Sequence, residues 1–254
     1  MKLKLIQREI NEIKKTFVPW IILFFILTIF FFIFGLEKVE ISGTQLILPV
    51  PSIKSIPLQV LEKIRIDLLP DNIKLLVTNP FNVFLIQIQI SLFLAFLFSL
   101  PLLLYNVIKY LSTALYKHEK QAIFKAVIPS VILFLIGCTF GYAVIIPLTL
   151  KLMDNYADVI GAATYFEIGE FVSFVLAAII STGITFMLPI FMKVLNNLGI
   201  ASREFWIKNF KYSLIVFVIF TAVITPDGTG ITQVILTMIL SALYFVGILL
   251  SKNV

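Results

Sequence analysis

Long apolar runs recur along this 254-residue chain, and they limit its fold more than any other feature. They occupy about 18–36, 83–105, 123–150, 171–195, 212–225 and 231–250. A helix rises about 1.5 Å per residue, so crossing a ~30 Å hydrocarbon core takes about 20 residues. A soluble fold has no place for this much apolar surface. The chain is 60% hydrophobic and 13% charged, where soluble domains run at about 45–50% and about 25%. In lipid the backbone must satisfy its own hydrogen bonds, which selects helices. The expectation is an all-α, polytopic membrane protein with six transmembrane helices, forming a single integral membrane domain over 1–254.

The run 212–225 offers only 14 residues, roughly 21 Å of helix, and Thr225-Pro-Asp-Gly separates it from the last run. A re-entrant hairpin and two short spans are both open. Two spans are favoured, because Lys208, Lys211 and Lys252 then lie on one side. Pro101, Pro129, Pro147 and Pro189 fall inside the other runs and remove backbone donors there. Kinked helices of unequal length suggest a concave, open bundle. Segment 1–17 alternates Leu and Ile with charge and reads as an amphipathic helix on the membrane surface. The run after it is too long for a signal-peptide core and lacks a small-residue cleavage site. Segment 37–81 is a long extracytoplasmic loop, broken early by Pro49, Pro51 and Pro57, with a short helix expected over 58–69. No internal repeat is visible.

Basic residues set the orientation. Segments 1–17, 109–125, 193–211 and the tail hold 5, 4, 4 and 1 of the 20 Lys and Arg, leaving six elsewhere. Acidic residues divide the other way, four against ten. Both termini are therefore expected in the cytoplasm, with the chain in the plasma membrane. The net charge of +6 is explained by these connections and does not call for nucleic acid.

Little in the sequence suggests catalysis. Cys138 is the one cysteine and His118 the one histidine, so neither a disulfide nor a His- or Cys-rich metal site is available, and no cofactor is expected. Ionisable groups avoid the middles of the runs, where they are costly. The polar groups singled out there are Gln87, Gln89, Thr139 and Thr185, as helix-packing groups or as the lining of a small-molecule transport path. Glu12 and Glu119 stand at the cytoplasmic face. They either pair with Lys15 and Lys117 or hold a basic ligand, since carboxylates match guanidinium in bidentate geometry.

The segment from Pro101 to Glu119, above all Ala114-Leu-Tyr-Lys-His-Glu119, resembles the second span and cytoplasmic loop of the TatC family. TatC proteins are receptor subunits of the twin-arginine protein translocase. Further matches are Glu12-Ile-Lys-Lys, Asn79-Pro-Phe, Phe140-Gly-Tyr with Pro147, Tyr165 through Ser173-Phe174, Pro189, Leu198-Gly-Ile, Thr225-Pro-Asp and Gln233.

The resemblance implies a non-enzymatic receptor that binds twin-arginine signal peptides for export of folded proteins, driven by the proton-motive force. Its implied partners are those peptides, single-span TatA/TatB-type subunits, membrane lipids and further copies of itself. Glu119 matches the loop carboxylate that contacts the arginine pair, and Glu12 the N-terminal carboxylate that assists. Asp227 and Gln233 match polar positions around the last outer turn, and Pro51 a proline of the first outer loop. Tyr110 stands where the family often has Phe, keeping the ring. The chain departs from the family in three places. Met187 replaces a glutamate usual two residues before Pro189, with Thr185 the nearby polar group. Thr113 replaces a proline, and the first outer loop is long. A small-molecule secondary transporter is the alternative.

Overall fold

A computed structural model describes residues 2–41, 44–69, 73–111, 126–159, 161, 165–225 and 230–251. The chain divides into two compact units, Met1–Asn106 with Thr164–Leu176, and Val107–Ala163 with Ala177–Val254. Among the described residues six helical spans are long and apolar enough to cross a membrane. Their exposed faces carry large apolar side chains such as Ile26, Phe98, Ile132 and Val223, the composition lipid contact requires.

In the first unit, α1 (Lys2–Ile33) is one continuous helix of 32 residues. The amphipathic start and the first span were expected as separate pieces. They merge because nothing between them stops a helix, and Pro19 interrupts the ladder without ending it. The first outer loop is more ordered than its prolines suggest. Strands β1 (Phe34–Ile41) and β2 (Thr44–Pro51) form an antiparallel hairpin, with Phe34 opposite Pro51 and Ile41 opposite Thr44. A two-stranded sheet leaves one side of each strand unpaired, so Pro49 and Pro51 can sit there without donors.

Helix α2 (Ile56–Leu68) follows with Pro57 in its first turn and buries Ile64 and Leu68, close to the expected 58–69. Strand β3 (Lys74–Leu76) pairs in parallel with β4 (Tyr165–Glu167). The second span is α3 (Pro80–Leu111), unbroken through Pro101. Its buried Ile86, Ile90 and Ala95, together with Phe171, Val172 and Val175, form the core of this unit.

In the second unit, α4 (Val127–Phe140) passes through a π turn, Gly141–Ile145, into α5 (Ile146–Val159). The Ile146 N–H bonds the Gly141 carbonyl five residues back. This wider turn lies just before Pro147, whose ring would crowd the backbone of a regular turn. The fourth span, α6 (Ile168–Phe186) followed by α7 (Leu188–Asn197), starts in the first unit and continues in the second from Ala177; it is parted at Met187 with Pro189 in the first turn of α7. Helix α8 (Arg203–Ile224) has 22 residues and α9 (Ile231–Leu250) has 20. The helix carrying the short apolar run thus begins well before it, at a Ser202 cap whose hydroxyl accepts the Phe205 N–H. Tyr244 centres the core where α7, α8 and α9 meet, with Met192, Phe217, Leu240 and Ile248, and its hydroxyl donates to the Trp206 carbonyl at 2.7 Å.

Candidate functional site

Two hydrogen bonds fix the pairing of the first two spans. The Trp20 indole N–H donates to Ser99 Oγ at 3.1 Å, and Gln87 Nε2 donates to the Phe32 carbonyl at 3.1 Å. Trp20 and Phe32 are twelve residues apart on α1, as are Gln87 and Ser99 on α3. The two helices therefore run antiparallel in one register over about 18 Å. Glu12, half-buried two turns before Trp20, lies at the same end of this pair as the C-terminus of α3. Tyr110 is half-buried in the last turn there. Glu119 lies eight residues beyond Leu111 and, like Asp227, outside the described residues. Eight residues reach at most about 28 Å.

The in-span amides are largely committed. Gln87 also donates to Ser55 Oγ at 2.8 Å, and Ser55 is fully buried at the start of α2. Gln89 sits beside Ser173 at 3.4 Å. Thr139 bonds its own helix at the Leu135 carbonyl, 2.9 Å away. Thr185 is buried in α6. A transport path would need these groups turned toward a passing solute. Instead Gln87 and Thr139 hold backbone carbonyls.

At the other end of the α1–α3 pair Glu167 gathers polar partners. Its Oε1 accepts from Thr78 Oγ1 at 2.8 Å and from Asn82 Nδ2. Glu167 and Asn82, with Gln89, Glu170 and Ser173, line a cleft of about 280 Å³. Nothing in the sequence signals this convergence, because the parallel β3–β4 pairing is what brings Thr78 and Glu167 close. Among the described residues no three His, Cys, Asp or Glu side chains are grouped to hold a metal.

In the second unit, Gln233 Nε2 donates to the Val218 carbonyl at 3.1 Å, tying α9 to α8. The Thr221 and Thr237 hydroxyls meet at 2.9 Å one turn further on. Beside them a groove of about 980 Å³ is lined mainly by apolar groups, including Leu214, Val218, Val234, Met238 and Phe245.

Comparison with known proteins decides the family. A family model described as Sec-independent protein translocase protein (TatC) matches residues 9–238. The chain belongs to the TatC family. It is 30% identical to the Sec-independent protein translocase protein TatC of Cenarchaeum symbiosum, across 97% of this chain and 94% of that protein. It is 33% identical to the TatC protein of Aquifex aeolicus, across 71% of this chain and 75% of the relative. Among solved structures it resembles the "Twin Arginine Translocase Receptor- TatC", with a TM-score of 0.76 at 27% identity, covering 95% of this chain and 97% of that one. The same receptor in DDM gives 0.78, at 27% identity and 96% and 99% coverage. With six apolar spans, this TatC chain is a multi-pass membrane protein.

The prolines that carried the resemblance now have places in the TatC fold. Pro51 closes the hairpin opposite Phe34, and Pro101 lies exposed on α3. Pro147 follows the π turn, and Pro189 is buried where the fourth span breaks. Met187 is half-buried at that break, and Thr185 is buried one residue before the end of α6.

Proposed function

We propose that this chain is the signal-peptide receptor of a twin-arginine translocase in the plasma membrane, with both termini cytoplasmic and no active site of its own. Glu119 and Glu12 hold the paired arginines of a folded cargo's signal peptide, and the proton-motive force drives export. The observation that carries the reading is the α1–α3 register. It sets Glu12 beside the C-terminal part of α3, the helix after which Glu119 follows in the sequence. Two carboxylates held at one face suit two guanidinium groups, whose bidentate hydrogen bonds a lysine ammonium cannot copy. Asp227 and Gln233 serve the outer turn of the last two spans. Single-span TatA/TatB-type subunits, lipids and further copies of the receptor meet the exposed helix faces.

The reading is tested by crosslinking from position 119 in native membranes to a twin-arginine signal peptide and to its twin-lysine counterpart. Because that probe replaces Glu119, probes at Lys117 and Lys120 are run beside it. Crosslinks that require the arginines support the receptor. Equal yields with both peptides, or silence at all three positions, count against it.

A further inference from the structure

Asn106 is the residue of the α1–α3 pair that the fold leaves unexplained. It is 5% exposed in the C-terminal part of α3, yet its amide Nδ2 has no hydrogen-bond partner among the described residues. A buried N–H without an acceptor destabilises the state that contains it, and a membrane interior supplies little water to relieve it. The other amides of α3 show the usual solution, with Gln87 bonded to Phe32 and Ser55 and Gln89 beside Ser173. An apolar side chain at 106 would avoid the cost. That the chain keeps an amide here is explained if its acceptor arrives with a ligand.

Its position says which ligand. Asn106 lies seven residues, two helical turns, after Ser99 and so on the same side of α3. Ser99 faces α1 through its bond with Trp20. Carrying the register seven residues further along both helices sets Asn106 level with Ile13, the neighbour of Glu12.

We propose that Asn106 is a further signal-peptide-binding residue, whose amide donates to a main-chain carbonyl of the arginine-bearing segment as that segment lies beside Glu12. The assignment rests on the receptor reading above. It also divides the work at the site. Every peptide offers main-chain carbonyls, so Asn106 contributes affinity without distinguishing arginine from lysine. Discrimination belongs to the carboxylates.

The test uses the full-length protein in nanodiscs and two labelled signal peptides, one with paired arginines and one with paired lysines. Asn106→Leu keeps the side-chain volume and removes the amide. Affinity for both peptides should fall by a similar factor, about tenfold. The thermal midpoint should hold or rise, since no internal bond is lost. Unchanged affinity overturns the assignment, as does a loss confined to the twin-arginine peptide or one accompanied by a lowered midpoint. A photoreactive residue at Ile13 in the otherwise native chain gives a second readout. It should crosslink next to the arginine pair, and failure to do so also overturns the assignment. A native protein that binds both peptides equally sinks the receptor reading itself, and this assignment with it.

Discussion

At the scale of single residues, the two proposed arginine-binding carboxylates differ in what the fold supplies. Glu12 is carried on a helix already tied to its neighbour, whereas Glu119 sits in a connection between spans. Hydrogen bonds to charged groups are worth about 1.5–3 kcal/mol, roughly a ten- to hundredfold change in affinity. Glu119→Gln should therefore weaken a twin-arginine peptide by that factor and leave a twin-lysine peptide nearly unaffected, as measured by fluorescence anisotropy. Glu12→Gln should do the same to a smaller degree. A third carboxylate, Glu62, can be followed by titration. Lys54 Nζ stands 2.7 Å from Glu62, and its hydrogen bond and positive charge hold the Glu62 carboxyl below its ordinary value. A lowered carboxyl favours the folded loop above the ordinary carboxylate range. That contribution fades as the pH falls through the lowered titration point. In an NMR titration Glu62 should reach its midpoint below a free glutamate, and Lys54→Gln should move it back up.

At the scale of elements, helix contact in lipid depends on close backbone approach, because apolar burial drives little association there. The contact between α4 and the end of α6 is built this way. A Cβ placed on Gly137 would stand 2.6 Å from the Thr182 carbonyl oxygen and 2.9 Å from Gly183 Cα, which are backbone atoms and cannot step aside. At Gly183 the nearest obstacles are the Phe134 ring and Cys138 Sγ, side chains with some freedom. Gly137→Ala should then cost about 1–3 kcal/mol, and more than Gly183→Ala, as read from thermal unfolding in detergent. Equal and negligible effects would mean that the helices do not approach this closely. The sequence revealed the spans because hydropathy reports which residues meet lipid. For the same reason it understated α8, whose first residues, Arg203 to Lys211, are helical but not apolar. It signalled irregularity at Pro147 without giving its form, a π turn. It hid the β1–β2 hairpin, since Pro49 and Pro51 argue against a strand unless one edge is free. Asn106 was equally hidden, because an amide near a helix end looks ordinary until its lack of an acceptor is known.

At the scale of the whole molecule, the receptor reading depends on which membrane face each connection occupies. Among the described residues six helices are long and apolar enough to cross, and the distribution of Lys and Arg gives the sense expected for them. With 14 of 20 basic residues in segments 1–17, 109–125, 193–211 and the tail, inversion would carry the heavier basic load across the membrane. Two exposed lysines report the outcome: Lys63 on α2 and Lys208 on α8. Cys138 is buried and is replaced by serine first, so that a single introduced thiol is labelled in each variant. In intact cells Lys63→Cys should react with a membrane-impermeant maleimide. Lys208→Cys should react only after the membrane is opened. The reverse pattern would put Glu12 outside, where no cytoplasmic signal peptide reaches it, and the receptor reading would fall. Labelling of both in intact cells would mean that the number of crossings between α2 and α8 is even. The expected topology makes it odd, because the second, third and fourth spans separate them.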